Sequence, residues 1–317
     1  MPAETEPKTL VYARNLEKTY GEHKAVRGID LDITAGEAFG FLGSNGAGKS
    51  TTMRMIGCVS IPSAGQLEVL GLDPKQHGVD IRAQLGVVPQ DDTLDAMLTV
   101  HENLEVYARY FGISGKIARQ KATELLKFVQ LNDRGKDKVD HLSGGMKRRL
   151  AIARGLVNDP DMVILDEPTT GLDPQARHMV WERLFHLKQR GVSILLTTHY
   201  MDEAEQLCDR LVVMDHGKII AHGSPADLIV EHVTKEVVEL RFNGTHTEEL
   251  AKIAEKITHV DGQIEALPDR ILIYTNHAAD AVAEVRASGL EPSSAFERRA
   301  TLEDVYLRLT GRSLEEA

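Results

Sequence analysis

Residues 43–51 (GSNGAGKST) have the composition and spacing of a loop that binds phosphate groups. Glycines let the backbone wrap closely around a triphosphate, and N–H groups at the start of the following helix then point at the anion. In such a loop Lys49 neutralises the β- and γ-phosphates, and Ser50 offers its hydroxyl group to Mg²⁺. We expect phosphate and metal contacts from Gly43, Ser44, Asn45, Gly46, Ala47, Gly48, Lys49, Ser50 and Thr51.

Two acidic residues follow a short apolar segment at residues 162–168 (MVILDEP). A buried strand that ends in Asp166 and Glu167 is costly unless a cation or a water molecule uses the carboxylates. Asp166 would hold Mg²⁺ through its coordination shell, and Glu167 would orient and activate an attacking water. The alternative is a strand followed by an acidic helix cap.

Three further side chains are weak signals when taken singly. His199 follows the apolar segment SILLTT, and a strand there would lie next to the Asp166 strand, so that His199 could contact a γ-phosphate. Gln90 lies in GVVPQ, a context in which glutamines are commonplace. Tyr20 could stack on an adenine ring, because base stacking on aromatic side chains is favourable and tolerant of base identity.

A second candidate anion site occurs at residues 141–149 (HLSGGMKRR), where Ser143 precedes Gly144 and Gly145 at an apparent helix start. The alternative is an ordinary capped helix whose basic residues, 147–149, form a solvated face. One triphosphate already has its loop at 43–51, so a spare anion site suits a nucleotide bound to another copy of the chain.

The bulk composition excludes several classes of protein. The chain has 317 residues and a net charge of −11, which argues against holding nucleic acid by bulk charge. Cys58 and Cys208 form no CxxC pair, so neither a metal site nor a disulfide framework is expected, and a reducing compartment fits best. The polar start of the chain does not resemble a signal peptide, and no segment of 18 apolar residues occurs.

The apolar patterns predict an α/β fold. Residues 8–42 alternate like strands, with turns at residues 20–21 and 35–36, and residues 99–160 are mostly helical with a capping box at Thr99. Residues 162–165 and 193–197 are typical of buried parallel strands, and a helix is expected from Pro174 to Gln189 between them. A boundary near 231/232 separates this part from residues 232–317, which suggest a βαββαβ, possibly ferredoxin-like, domain with a terminal helix.

The order of these motifs over residues 8–228 resembles that of the ATP-binding cassette (ABC) ATPases. The resemblance implies a P-loop NTPase cassette with a parallel-sheet core, an antiparallel β subdomain and an α-helical subdomain, followed here by a small α+β domain. It implies ATP and Mg²⁺ as ligands and a homodimer in which the signature of one cassette completes the phosphate site of the other. The roles that it implies are Tyr20 on adenine, Gly43 to Thr51 on phosphates, Ser50, Gln90 and Asp166 near Mg²⁺, Glu167 as base, His199 on the γ-phosphate, Ser143, Gly144 and Gly145 in trans, and Asp173 at the dimer seam.

Two positions depart from the family pattern. Met146 stands where the signature commonly has glutamine, and Gly171-Leu172 stands where the seam loop commonly begins with serine and alanine. Neither change removes a charged catalytic group, so we expect altered affinity more than lost turnover.

Within the family, residues 87–104 and 296–314 resemble the ATPases of two-component exporters of the nodulation lipo-oligosaccharide and daunorubicin-resistance types. This likeness implies a separate integral membrane permease, a peripheral location at the cytoplasmic face of the inner membrane, and no nucleic-acid partner. The alternatives are a soluble cassette ATPase that acts on nucleic acid or ribosomes, and a nucleoside-kinase-like phosphotransferase. The latter would have no use for the LSGG segment.

Overall fold

The structure is a computed structural model that describes residues 8–91, 93–242, 247–257 and 260–311. The chain divides into two compact units between Ser224 and Pro225, somewhat before the boundary suggested by the sequence at 231/232. Residues 312–314 of the terminal segment that resembles the exporters lie outside the described residues, as does Asp92.

The first unit contains nine strands and seven helices within the described residues. The strands are β1 Thr9–Tyr20, β2 His23–Thr34, β3 Ala38–Leu42, β4 Ala64–Val69, β5 Leu85–Val88, β6 Met162–Asp166, β7 Ser193–Thr198, β8 Arg210–Asp215 and β9 Lys218–Gly223. The helices are α1 Lys49–Ile56, α2 Pro74–Ala83, α3 Val100–Tyr110, α4 Gly115–Phe128, α5 Gly144–Gly155, α6 Pro174–Gln189 and α7 Met201–Leu207. The predicted strands of residues 8–42 and the helix from Pro174 to Gln189 are thus present.

A six-stranded sheet with the order β5-β6-β7-β3-β8-β9 forms the centre of this unit. All neighbours are parallel except β8 and β9. Every residue of β3 and β7 is buried, as expected for strands covered on both faces. The predicted proximity of the Asp166 and His199 strands is confirmed, because Asp166 on β6 pairs with Thr197 on β7. The loops after β3, β6 and β7 therefore meet at one edge of the sheet.

An antiparallel sheet, ordered β2-β1-β4, shares a hydrophobic core with the parallel sheet. Leu16 and Ile29 from β1 and β2 belong to the same buried cluster as Phe39, Met55 and Ile164. Tyr20 is the last residue of β1, so this packing places its ring at the start of the turn toward β2.

Helices α3, α4 and α5 pack around a separate cluster that includes Val100, Leu104, Leu126 and Leu150. The capping box is confirmed, because Thr99 Oγ1 accepts from the Glu102 N–H and the Glu102 carboxylate accepts from the Thr99 N–H. Helix α5 begins after Ser143, whose Oγ accepts from the Met146 N–H at 3.3 Å.

The alternative in which residues 147–149 form a solvated basic face is wrong for two of these three residues. Arg148 and Arg149 are 6% and 7% exposed, respectively, and both donate to backbone carbonyls. Arginine is usually a surface residue, so the sequence pattern predicts exposure. In the folded chain, backbone carbonyls accept hydrogen bonds from the guanidinium groups and so allow their burial.

The second unit comprises α8 Pro225–His232, β10 Glu236–Arg241, α9 Thr247–Ala254, β11 Gln263–Ala266, β12 Ile271–Thr275, α10 Ala278–Ala287, β13 Ser294–Arg299 and α11 Leu302–Thr310. Strands β10 to β13 and helices α9 and α10 follow the predicted βαββαβ order. The four strands form one antiparallel sheet with the order β11-β12-β10-β13. Helices α8 and α11 pack against each other. Across the described parts of both units, no helix is both long and apolar enough to span a bilayer.

A buried ion pair holds the start of α11 to β13. Asp304 is 1% exposed and accepts two parallel hydrogen bonds from Arg298, at 2.7 and 2.8 Å, and a third from the Thr301 N–H at 2.8 Å. Arg298 Nε also donates to Glu239 on β10 at 2.6 Å. These hydrogen bonds, chiefly those to Asp304, raise the pKa of the Arg298 guanidinium.

We predict that Asp304→Ala lowers the free energy of unfolding of the second unit by about 1.5–3 kcal/mol, because it removes the main hydrogen-bond partner of the charged, partly buried Arg298. Asp269→Ala is the control, since Asp269 pairs with Arg270 where half of its side chain is exposed, and we expect a loss below about 1 kcal/mol. Urea denaturation of the full chain measures both values. Equal losses in the two variants would contradict the prediction.

Candidate nucleotide-binding and hydrolytic site

The loop between β3 and α1 has the backbone geometry of an anion site. Gly48 is the N-cap residue of α1 at φ 104°, and no side chain caps the helix. A Cβ atom at Gly48 would lie 2.6 Å from the Ala25 carbonyl oxygen, so the position requires glycine on two counts. No acidic residue lies in the first turn, which leaves the N–H groups and the positive end of the helix dipole available to a phosphate.

Lys49 lies folded into this loop. The side chain is buried, and Nζ donates to the carbonyls of Gly43 at 2.6 Å and Ser44 at 3.0 Å. Burial lowers the pKa of Lys49, while the carboxylates of Glu167 and Asp166 act in the opposite direction. Among the described residues, the two loop carbonyls are its hydrogen-bond partners, and a phosphate oxygen would be a stronger, charged acceptor for the same ammonium group.

Asp166 lies across from the loop, at the end of β6. Its Oδ1 accepts from Ser50 Oγ at 3.1 Å and from Thr197 Oγ1 at 2.5 Å. A hydroxyl and a carboxylate oxygen suit Mg²⁺, which commonly takes one or two protein ligands and completes its shell with phosphate and water oxygens. The described residues contain no group of three or more His, Cys, Asp or Glu side chains that would hold a metal by themselves.

Glu167 is the most constrained side chain of the site. The residue is buried and has φ 45°, and its backbone N–H donates to the carbonyl and to the hydroxyl oxygen of Thr197. Its Oε2 accepts from Gln90 Nε2 at 3.1 Å and from Thr170 Oγ1 at 3.0 Å. A left-handed conformation in a residue with a side chain is typical of functional sites, where the surrounding structure maintains it.

His199 lies on the other side of this carboxylate. Its Nδ1 is 3.4 Å from Glu167 Oε1, and this imidazole is the largest cause of the lowered pKa of Glu167. Burial acts in the opposite direction, and the Thr170 hydroxyl and Lys49 add smaller lowering effects. Glu167 is thus held as a carboxylate despite its burial.

One open cavity, with a volume of about 250 Å³, joins several of these groups. Its lining includes Tyr20, whose ring is 47% exposed, together with Gln90 and Glu167. The rest of the lining is His23, Ala25, Ser44, Asn45, Gly46, Gly48, Lys49, Ser50 and Thr51. The structure therefore places the aromatic ring, most of the phosphate-binding loop and Glu167 around a single space, whereas Asp166 and His199 are not part of its lining.

The signature residues do not line this cavity. Ser143 and Gly144 are exposed at the start of α5, and Gly145 packs so closely on Ala176 that a Cβ atom would lie 2.7 Å away. Asp173 caps α6 through a hydrogen bond from the Ala176 N–H at 2.9 Å. The start of α5 and the start of α6 are therefore neighbours, and together they form a second polar surface.

Two hydroxyl groups that hold the acids were not predicted from the sequence. Thr197 donates to Asp166, and Thr170 donates to Glu167. Thr197 carries a weak signal, because it is a polar residue near the end of the apolar segment SILLTT, two residues before His199, whereas no pattern distinguishes Thr170.

Comparison with known proteins agrees with this geometry. Residues 26–170 match the family model described as "ABC transporter", and residues 249–311 match "Nodulation factor export protein NodI, C-terminal domain". Among curated proteins, the Nod factor export ATP-binding protein I of Rhizobium sp. (strain N33) is 44% identical over 98% of this chain and 99% of its own. The protein of the same name from Burkholderia lata is 45% identical over 96% and 97%.

Solved structures show the same fold for the first part of the chain. The ATP-binding cassette MJ0796, in a dimeric post-hydrolysis state bound to ADP and phosphate, superposes with a TM-score of 0.63 at 30% identity, over 68% of this chain and 98% of that one. The structure of cbiO1 from Clostridium perfringens, part of the ABC transporter complex cbiONQ, superposes with a TM-score of 0.66 at 28% identity, over 71% of this chain and 92% of that one. This chain therefore belongs to the ATP-binding cassette transporter ATPases, which bind and hydrolyse ATP.

Proposed function

We propose that this chain, an ATP-hydrolysing subunit of an exporter, acts as one half of a homodimer of cassettes with two ATP molecules at the seam. The phosphate loop and Glu167 share one cavity, whereas Ser143 and Gly144 are exposed outside it. A second copy placed head to tail would bring its signature residues over the first copy's nucleotide. The dimeric state named for MJ0796 supports this arrangement.

In this proposal the loop residues bind the triphosphate through backbone N–H groups and Lys49. Lys49 exchanges its bonds to the carbonyls of Gly43 and Ser44 for bonds to phosphate oxygens. Ser50 and Asp166 would hold Mg²⁺, with Gln90 near it, and the ion would neutralise charge that develops on the phosphates. The exposed Tyr20 ring stacks on adenine.

Glu167 is the proposed base that orients and deprotonates the attacking water. Its pKa is lowered by His199, so the carboxylate remains ionised and able to accept a proton. Gln90 and Thr170 both donate to Oε2 and thereby fix the direction of the carboxylate. His199 Nδ1 lies 3.4 Å from the other oxygen, and in this proposal the imidazole would also contact the γ-phosphate.

The relatives favour an exporter over a soluble ATPase that acts on nucleic acid or ribosomes. The two described above are named for Nod factor export, and each aligns with this chain over nearly its whole length. We propose that the permease is a separate integral membrane chain and that this subunit binds it from the cytoplasmic face of the inner membrane.

A groove beside Gln90 is the proposed docking surface for the permease. It has a volume of about 430 Å³ and is lined by Val87, Pro89, Thr93, Asp95, Leu98, Asn103, Val106, Tyr107, Tyr110 and Arg154. Tyr110 in this groove and the neighbouring Met97 are 79% and 81% exposed, which is unusual for large apolar side chains. A segment docked there would contact the loop that carries Gln90, and Gln90 contacts Glu167.

We expect Glu167→Gln to lower kcat for ATP hydrolysis by about 10²–10⁴-fold, the usual contribution of a general base, while ATP binding is retained. The variant should form a stable dimer with ATP and remain monomeric without it, as measured by sedimentation. Glu124→Gln on the exposed face of α4 is the matched control and should behave as the native chain. Native turnover per molecule that stays constant on dilution to the monomer would refute the shared site.

The contact of His199 with Glu167 predicts a change in pH dependence. Because His199 is the main cause that lowers the pKa of Glu167, His199→Ala should raise that pKa. The acid limb of the residual kcat–pH profile should therefore move to higher pH. Thr170→Val, which removes a smaller contribution, should move the limb less in the same direction. An unchanged acid limb in the histidine variant would show that Glu167 does not titrate as the base.

The docking groove is tested by the double variant Met97→Ala, Tyr110→Ala. If these side chains are anchors, it should weaken permease binding by about 2 kcal/mol or more, without changing ATP affinity. Val79→Ala, at an exposed apolar position on α2, is the control. Copurification with the integral membrane partner from detergent-solubilised membranes measures the effect, and equal recovery of both variants would remove the groove from the proposal.

A further inference from the structure

The side chain of Arg148 on α5 connects the signature helix to the hydrolytic site of the same chain. Nε donates to the Pro168 carbonyl at 2.8 Å, and Nη2 donates to the Asp166 carbonyl at 2.8 Å. Nη1 donates to the carbonyls of Pro89 and Gln90. A single buried guanidinium therefore spans the loop after β6 and the loop after β5.

The carbonyls that Arg148 binds surround Glu167 in a specific way. Asp166 and Pro168 are the residues immediately before and after Glu167, so Arg148 binds the peptide that precedes Glu167 and the carbonyl of the residue that follows it, and Glu167 itself is held at φ 45°. Gln90, whose backbone also accepts from Arg148, donates through its side chain to Glu167 Oε2. Arg148 thus acts on Glu167 by two routes: through the backbone on either side of Glu167, and through Gln90.

Arg148 also lies in the same rigid helix as the signature residues. Helix α5 runs from Gly144 to Gly155, with Ser143 as its N-cap, so Arg148 lies in the second turn behind Ser143–Gly145. A displacement of the helix start, such as contact with an anion would cause, is carried to Arg148, because helices move as stiff bodies rather than bend at one turn.

We propose that Arg148 is a positioning residue that couples the signature helix of each chain to the base, Glu167, of that same chain. This inference rests on the proposed function, in which Ser143–Gly145 contact the ATP held by the other copy. When the partner's ATP engages the start of α5, Arg148 holds Gln90 and the peptides around Glu167 in the hydrolytic arrangement. The two ATP sites are thereby linked through one side chain in each chain.

The geometry of the contact requires arginine rather than any cation. The planar guanidinium has five N–H donors in a fixed fork, which can reach carbonyls on two separate loops, whereas the lysine ammonium concentrates three donors at one point. Arg148→Lys therefore keeps the charge and most of the stem but cannot span the two loops. Arg149→Lys is the matched control. Arg149 is similarly buried on the same helix, but it donates to the carbonyl of Val129 at the end of α4.

The test compares kcat, KM and ATP affinity of the full-length Arg148→Lys and Arg149→Lys variants, with thermal melting to verify folding. We expect Arg148→Lys to lower kcat about 10–100-fold, the scale of a misplacement of about 1 Å, with KM and the affinity for ATP changed less than about threefold. Arg149→Lys should retain near-native kcat. Arg148→Gln, which is neutral and shorter, provides a second variant with the same expected direction should the lysine variant melt much below the native chain.

A double-mutant cycle with Gln90→Ala separates positioning from general support of the fold. If Arg148 acts partly through Gln90, the fold-loss of kcat in the double variant should be smaller than the product of the fold-losses in the two single variants. Equal kcat in the two arginine variants, or losses of kcat and melting temperature that run in parallel in both, would overturn the inference. If Glu167→Gln abolishes turnover and Arg148→Lys does not change it, only this inference fails; if Glu167→Gln turns over normally, the proposed function fails as well.

Discussion

The site depends on the parallel pairing of β3, β6 and β7, which brings the carboxyl ends of three strands to one edge of the sheet. Three polar segments lie close together at this edge: the loop with Lys49 after β3, the Asp166-Glu167 pair at the end of β6, and residues 197–199 at the end of β7. Each group is costly to bury by itself, and the two acids find partners on elements that the sheet brings together, as Asp166 finds Thr197 on β7 and Ser50 on α1. The sheet is therefore what makes this polar cluster possible.

The cluster is arranged for a negatively charged ligand and for a water molecule beside it. Lys49 donates to loop carbonyls, and burial lowers its pKa while the carboxylates of Glu167 and Asp166 act in the opposite direction. Glu167 keeps its charge through His199 while its backbone holds a conformation that costs about 1–3 kcal/mol elsewhere. Groups fixed in advance need little reorganisation when charge develops on the phosphate, which is the main physical source of such catalysis.

Helix α5 has two different environments along its length. Its start is exposed and offers backbone N–H groups, while Arg148 and Arg149 one turn further on are buried. This contrast explains why the same nine residues, HLSGGMKRR, fit both a ligand surface and a structural core. The exposed end is the part proposed to meet another copy, and the buried part joins that surface to Glu167 through the carbonyls that Arg148 binds.

The sequence by itself determined the phosphate loop, the strand acids, the helix from Pro174 to Gln189 and the βαββαβ order of the second unit. Those features arise from local spacing, from apolar periodicity and from residues adjacent in the chain. Only the tertiary structure decided that Thr197 and Thr170 hold the two acids, that Gln90 contacts Glu167, and that Arg148 and Arg149 are buried. Most of these contacts join segments distant in sequence, although Thr170 and Glu167 lie three residues apart in one loop. The sequence around a polar side chain does not identify the partner that allows its burial.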